Sequence, residues 1–138
     1  MLEWLEPPFA PGHWVPEQVE IAGGVCLLGD AGSPSVTTTF EVIREAEPDI
    51  IVMIPCGYYI HDTLRQLEFT HFPSNWRDIP AIRNGEVWAT DATSYFSRPA
   101  PRVVDGVEIL SKLFHPAIFG NVVESEAVRV PPSLLKFK

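Results

Sequence analysis

Two segments of the chain place aromatic and basic side chains where they could bind a ligand. Residues 49–59 form an apolar run that ends in a proline, a cysteine, a glycine and two tyrosines. Residues 95–102 carry an aromatic pair and two arginines among prolines. Aromatic faces suit a large flat ligand, and a guanidinium can pair with a carboxylate or amide. Because ligands of open α/β sheets bind outside the carboxyl ends of strands, we expect both segments on one rim.

Six residues at or near predicted strand ends form the expected ligand-binding set: Trp14, Tyr58, Tyr59, Tyr95, Phe96 and Arg98. Trp14 and Tyr95 are the strongest candidates. The alternative for any single aromatic residue is ordinary packing at the rim of the domain. Arg98 either binds a ligand or pairs with a nearby aspartate, whereas Arg102, at a predicted helix start, is expected to form a structural ion pair.

Histidine and cysteine offer further chemistry near this rim. His13 is either an axial ligand to a metal within the bound molecule or an ordinary exposed histidine. Cys56, with His61 shortly after it, could act as a nucleophile, but no third residue that would orient His61 is evident. We therefore expect no catalytic residue, no resident cofactor and no protein-bound metal. Cys26 and Cys56 are both expected to behave as small buried hydrophobic residues.

Composition limits the class of protein. The chain has 138 residues, 46% of them hydrophobic, which predicts a single domain with a substantial core. Its formal net charge of −8 argues against nucleic acid as a partner, since phosphate-binding surfaces are built from clustered Lys and Arg. No apolar run approaches the ~20 residues that span a bilayer. The first residues carry neither the basic nor the apolar region of a secretory signal.

The elements that must position these residues alternate along the chain. Residues 50–54 show no polar alternation, as expected for a strand covered on both faces. The predicted strands are 2–5, 25–28, 49–54 and 86–90, and the predicted helices are 15–22, 39–47, 61–69, 76–82 and 101–114. This order indicates an α/β fold, a three-layer Rossmann-like lobe with a mostly parallel central sheet. Residues 1–119 form the predicted domain, and residues 120–138 a C-terminal extension on its surface.

Burial follows from the same patterns. The last long helix is expected to bury a stripe of apolar residues, Val104, Val107, Leu110, Leu113 and Phe114. Ile51, Val52 and Met53 of the central strand should be buried with them.

Several motifs in order produce a family resemblance: residues 2–7 (LEWLEP), 12–17 (GHWVPE), 47–57 (EPDIIVMIPCG), 95–99 (YFSRP) and 102–110 (RVVDGVEIL). With them, residues 2–119 resemble the C-terminal lobe of class III substrate-binding proteins of ABC importers, the cobalamin and ferric-siderophore type. The cobalamin branch matches best. The resemblance implies a periplasmic or cell-envelope binding protein, not an enzyme, whose partners are a corrinoid or other metal-chelate ligand and an ABC permease. It also implies that Glu41 docks onto the permease. The alternative for Glu41 is an acid that suits a helix N-terminus.

Proteins of this class hold the ligand in a cleft between two lobes, and here this chain differs from them. The sequence corresponds to one lobe, so we expect weak ligand binding or none. It is either a remnant or part of a longer protein, and it is cytoplasmic if Met1 is the true start. An alternative function is that of a self-associating domain without a role in transport, a homodimer formed through the aromatic rim or through the unpaired edge of the first strand.

Overall fold

The computed structural model describes residues 1–138, in which short strands and helices alternate. The strands are β1 (Trp4–Leu5), β2 (Pro8–Ala10), β3 (Val36–Thr37), β4 (Ile51–Met53), β5 (His71–Phe72), β6 (Val87–Thr90), β7 (Ala127–Arg129) and β8 (Lys136–Phe137). The α-helices are α1 (Val15–Ile21), α2 (Phe40–Glu45), α3 (Ile60–Leu67), α4 (Pro80–Arg83), α5 (Ala92–Tyr95), α6 (Val103–Phe114) and α7 (Pro116–Phe119). Two 3₁₀ helices, Ser74–Asp78 and Pro132–Leu134, complete the set.

The apolar run after Asp49 forms the centre of the main sheet. Strand β4 pairs in parallel with β6 on one side. On the other side Leu2 forms a parallel bridge with Met53, and its backbone N–H donates to the Val52 carbonyl at 2.9 Å. Strand β7 runs antiparallel to β6 at the sheet's edge. The predicted central strand is confirmed, and the sheet is parallel except at β7.

Alternation along β4 divides the core between the two faces of the sheet. Ile51 and Met53 pack with residues of α2, α3, α4 and the first 3₁₀ helix. Val52 and Ile54 pack with residues of α1, α5 and α6 on the opposite face. Helices therefore cover both faces, which confirms the three-layer α/β fold, and Ile51, Val52 and Met53 are buried as predicted.

The buried stripe of α6 differs from the prediction. Leu110 is fully buried, Val107 is half-buried and Val104 is 62% exposed. The stripe runs instead through Gly106, Ile109, Leu110 and Leu113. The physical reason is Gly106: a Cβ there would lie 2.6 Å from the Tyr95 carbonyl oxygen, so the glycine lets the helix backbone approach α5 closely. A pattern that counts only large apolar residues misses such a contact position.

Residues 25–28 do not form the predicted strand. Val25 is 79% exposed and Leu27 51% exposed, and no strand pairs with this segment. A second sheet, which the sequence did not predict, has the order β1-β2-β3 and is entirely antiparallel. Its β2 strand begins at Pro8, a residue that weakens any strand prediction. The prediction of residues 25–28 as a strand is therefore wrong.

The C-terminal segment is mostly exposed, as expected for an extension on the surface, but its strands also pair with the rest of the fold. Its β7 strand extends the central sheet, and Val130 is buried beside it. Strand β8 pairs in parallel with β5. The Lys112 ammonium of α6 lies 2.9 Å from the Glu126 carboxylate and ties this segment to the helix layer. Residues 120–138 therefore pack as part of the same structure as residues 1–119.

None of the helices could cross a membrane. The longest, α6, has 12 residues, well below the ~20 needed to span a bilayer.

Candidate functional site

A pocket of about 610 Å³ lies beyond the carboxyl end of β4. Its lining combines aromatic and apolar side chains with a single carboxylate: Glu3, Trp4, Pro7, Phe9, Gly12, His13, Trp14, Ser35, Ile54, Cys56, Phe96 and Ser97. The volume is within the ~300–1,000 Å³ range of small-molecule sites. A mostly apolar lining with few polar groups is also typical of such sites.

Both segments singled out in the sequence reach this rim. The Gly57 backbone N–H donates to the Ser97 hydroxyl at 3.3 Å, and the Thr93 N–H donates to the Tyr58 carbonyl at 3.1 Å. The turn after β4 is thus joined directly to the segment after β6. Because β4 and β6 are parallel, their carboxyl ends meet at one edge, as expected for a ligand site in this class of sheet.

Trp14 forms one wall of the pocket and is held in place by a long-range hydrogen bond. It stands immediately before α1, where Val15 and Pro16 begin the helix and turn their side chains into the core. Its indole Nε1–H donates to the Phe96 carbonyl at 2.8 Å. The bond joins segments 82 residues apart and fixes the plane of the indole ring.

Phe96 also lines the pocket, but it is only 2% exposed and packs mainly in the core beneath α6. Phe96 therefore acts mainly as an ordinary core residue, as the alternative expected, and only a small part of it reaches the pocket. Trp14 and Phe96 are the two members of the predicted binding set that the structure places in the pocket.

The three tyrosines and Arg98 of the predicted set lie outside the pocket. Tyr58 packs edge-to-face against Trp4, with ring centroids 5.0 Å apart, and so supports a pocket wall from behind. Tyr59 is 47% exposed and stacks on His61. Tyr95 is half-buried at the end of α5. A direct ligand contact by any of these residues stays a prediction.

Arg98 and Arg102 make no ion pairs in the structure. Arg98 and Arg102 are both exposed, and neither is among the salt-bridged residues. The predicted structural ion pair of Arg102 is therefore wrong. One reason is that the Asp91 carboxylate is already engaged at the start of α5, where it accepts hydrogen bonds from the Ser94 N–H at 2.9 Å and the Ser94 hydroxyl at 2.7 Å. Arg98 remains available to a ligand.

The histidine and cysteine candidates are partly at the pocket. His13 lines it, is exposed, and has a positive φ of 56°, with its ring centroid 5.7 Å from that of Trp14. Cys56 also lines it and is exposed, so the expectation of two buried thiols is wrong for this residue. Cys26 is half-buried and packs against the core. No cluster of three or more metal-ligating side chains is present.

Glu41 lies in the first turn of α2, which Thr39 caps by accepting a hydrogen bond from the Val42 N–H at 3.2 Å. Its carboxylate is exposed and pairs with Arg44 one turn later. The hydrogen bond from Arg44 lowers the pKa of the Glu41 carboxyl. Glu41 therefore presents a charged, solvent-facing group, although one whose charge is partly matched within its own helix.

Most of the lining residues were not predicted from the sequence, among them Glu3, Trp4 and Phe9. Glu3 lies immediately before β1, Trp4 begins that strand, and Phe9 of β2 pairs with Trp4. The local signal was an aromatic residue on each side of Pro7–Pro8, which predicts a turn between two aromatic rings. That these rings face the segment after β4 depends on the parallel contact of Leu2 with Met53, which no local pattern reveals.

The α/β fold is similar to part of several solved periplasmic binding proteins. The chain superposes on a TroA-like periplasmic binding protein, FepB from Veillonella parvula, with a TM-score of 0.63 and 19% identity, over 86% of this chain and 42% of that one. It superposes on an ABC-transporter substrate-binding protein from Listeria monocytogenes with a TM-score of 0.57 and 18% identity, over 72% of this chain and 38% of that one. The resemblance to class III substrate-binding proteins is confirmed at the level of the fold.

Sequence similarity points in the same direction. The chain is 28% identical over 100 residues to a vitamin B12-binding protein of Vibrio cholerae serotype O1, an alignment that covers 72% of this chain and 33% of that protein. The chain thus spans about one third of the length of the curated relatives it matches. No model of a protein family matches the chain. The proteins it resembles are binding proteins, not enzymes.

Proposed function

We propose that the chain is a solute-binding lobe of the ABC-importer type whose pocket accepts one face of cobalamin or a similar metal chelate. The observation that carries the proposal is the aromatic lining beyond the carboxyl end of β4, with Trp4, Phe9 and Trp14 around one opening. Such rings bind a large flat ligand through apolar contact area with little hydrogen bonding. The similarity to a vitamin B12-binding protein supports the same class of ligand.

The size of the pocket limits how strongly the chain should bind. About 610 Å³ suits a drug-sized molecule, and a corrinoid is larger. The pocket therefore covers one face of such a ligand and leaves the other face in water. Since buried contact must exceed the cost of lost rotational and translational freedom, we expect affinity in the micromolar range or weaker.

Titration of the purified chain with cyanocobalamin, with binding measured by equilibrium dialysis, tests this proposal. We expect saturable binding that weakens at least about fivefold in Trp4→Ala, because one pocket wall is removed. Phe69→Ala is the matched control, since Phe69 is 76% exposed and lies outside this pocket. Absence of saturable binding at millimolar ligand would contradict the proposed function, and nanomolar affinity would contradict the one-face geometry.

We propose further that Glu41 is the permease contact. Its exposed carboxylate would exchange its bond with Arg44 for one with a transporter arginine, a type of charge pair that guides docking. Glu41→Gln should reduce retention of the chain by an immobilised ABC permease complex, most strongly at low salt. Glu45→Gln, an exposed acid on the same helix, should leave retention unchanged. Equal retention of the two variants would remove Glu41 from this role.

The proposed site of action is the periplasm or cell envelope. The solved neighbours are described as periplasmic or as ABC-transporter substrate-binding proteins, which supports this location. Fractionation of cells that express the gene from its own promoter tests it. Recovery of the protein in the cytoplasmic fraction alone would contradict it.

A further inference from the structure

We propose that Glu3 makes the pocket select ligands that present uncharged N–H donors, such as amides, over ligands of the same shape that present a carboxylate. The inference rests on the proposed function, and it names the residue that would set ligand charge at that site. Glu3 is the only Asp or Glu among the twelve lining residues, and no Lys or Arg lines the pocket.

The Glu3 side chain is anchored at the pocket wall by two donors. One carboxylate oxygen, Oε1, accepts a hydrogen bond from the Gly12 backbone N–H at 3.2 Å. The other, Oε2, accepts one from the Ser35 hydroxyl. These bonds tie the residue before β1 to two loops, and they fix the carboxylate in position without neutralising it. None of the four ion pairs in the structure includes Glu3.

A fixed, unneutralised carboxylate in an apolar pocket acts on a ligand in two ways. It retains acceptor capacity, because a carboxylate offers about four lone-pair sites and only two are used by Gly12 and Ser35. It also repels a second carboxylate, since like charges a few ångströms apart interact strongly where water is displaced. The aromatic walls provide contact area without regard to charge, so the sign of the preference comes from Glu3.

Two other groups at the pocket could alter its charge. The His13 ring is exposed and would add positive charge if protonated, and the Cys56 thiol would add negative charge if ionised. Neither is an Asp, Glu, Lys or Arg, so Glu3 remains the one side chain of those four types at the pocket.

The matched ligands are cyanocobalamin and its monocarboxylates, in which one propionamide of the corrin ring has been hydrolysed. They share shape and ring and differ by one charge. We expect wild-type protein to bind at least one monocarboxylate about tenfold or more weakly than cyanocobalamin, measured by equilibrium dialysis at pH 7.5. Glu3→Gln should reduce that ratio to about threefold or less, because the charge is lost while an acceptor oxygen remains.

Two variants separate charge from position. Ser35→Ala removes one anchoring donor but keeps the carboxylate, so the ratio should persist even if both affinities fall. Glu17→Gln, an exposed acid of α1 outside the pocket, removes the same charge from the protein and should leave the ratio unchanged. A folded Glu3→Gln protein that keeps the full ratio overturns the inference. If Glu3→Gln fails to fold, judged by circular dichroism, a wild-type ratio near one still overturns it, as does a ratio that Glu17→Gln abolishes.

Each outcome has a distinct meaning. Equal wild-type affinity for cyanocobalamin and every monocarboxylate overturns this inference and leaves the proposed function standing. A ratio that Glu17→Gln abolishes as fully as Glu3→Gln assigns the effect to net charge and also overturns it. No binding of cyanocobalamin by wild-type protein removes the proposed function, and this inference falls with it.

Discussion

Trp14 offers the sharpest test of the pocket, because its indole has separable structural and ligand-facing roles. One role is the Nε1–H bond of 2.8 Å to the Phe96 carbonyl, which joins the start of α1 to the segment after α5. The other is the ring face that lines the pocket. Trp14→Phe removes the first and keeps most of the second, whereas Trp14→Ala removes both.

The expected effects of the two substitutions on ligand affinity differ enough to be measured. An aromatic side chain buries about 150–250 Å², and the half-buried ring of Trp14 leaves roughly 80 Å² for the ligand. At ~25 cal/mol per Å² this face contributes ~2 kcal/mol, so Trp14→Ala should weaken cyanocobalamin binding about 30-fold. Trp14→Phe should lower the free energy of unfolding by ~1 kcal/mol through the lost hydrogen bond, and weaken binding only a few-fold.

The assay pairs isothermal titration of cyanocobalamin with urea unfolding for both variants. Phe69→Ala serves again as the aromatic control outside the pocket. A Trp14→Ala protein that binds within twofold of wild type would refute the assignment of Trp14 as a pocket wall. A Trp14→Phe protein of unchanged stability would show that the bond to Phe96 contributes nothing to the fold.

Three further predictions concern the scaffold. Gly106→Ala should lower the free energy of unfolding by ~1–3 kcal/mol, because its Cβ would lie 2.6 Å from the Tyr95 carbonyl oxygen; an unchanged Tm would contradict this. Trp76→Ala should cost ~3–5 kcal/mol in urea unfolding, since this ring is fully buried, and a loss below about 1 kcal/mol would contradict it. Burial acts to raise the pKa of Glu126, but the hydrogen bond from Lys112 helps to outweigh it, so the pKa is lowered. The pair should therefore add ~0.5–1 kcal/mol to the free energy of unfolding above the usual carboxyl pKa of 4.5, and this contribution should be lost as pH falls through the lower folded pKa. Lys112→Met should then cost more stability at pH 7 than at pH 3. Equal losses at the two pH values would contradict this.

Homodimer formation through the aromatic rim stays a prediction, and the structure weakens the physical argument for it. Of the five rim aromatics, Phe96 is buried and Tyr59 is the only one classed as exposed. The rim therefore offers little continuous apolar surface to a second copy. Sedimentation at tens of micromolar protein checks it, and a monomer there would rule out the homodimer.

The parts of the fold that the sequence predicted are those specified by local pattern. An uninterrupted apolar run predicted β4, because both faces of that strand are covered. The start of α2 was predictable because the Thr39 hydroxyl caps the helix. The prediction of a strand at residues 25–28 was wrong because an apolar run alone does not form a strand without a partner strand to pair with. Strand β2 was missed for the opposite reason, since pairing with β1 and β3 forms it despite Pro8.

The candidate site was predictable only where its residues lie on those locally specified elements. Trp14 precedes a helix with a clear start, and Phe96 follows a strand and a short helix, so both could be placed near strand ends. Glu3 belongs to the pocket because residues 2–3 run beside β4: the Ile54 N–H donates to the Leu2 carbonyl at 2.8 Å and the Cys56 N–H to the Glu3 carbonyl at 3.2 Å. That contact spans about fifty residues, so no local pattern could reveal it.

The same long-range contacts explain why the pocket should be largely preformed. The Gln18 side-chain amide donates to the Val103 carbonyl at 2.8 Å and to the Tyr95 carbonyl at 3.3 Å, which joins α1 to the end of α5 and the start of α6. Together with the Trp14 bond to Phe96, these contacts hold the wall in one arrangement before any ligand arrives. A preformed wall loses little conformational entropy on binding. The affinity of this chain should therefore be limited by the ligand area that the pocket can cover and by the charge of Glu3, not by the cost of ordering the site.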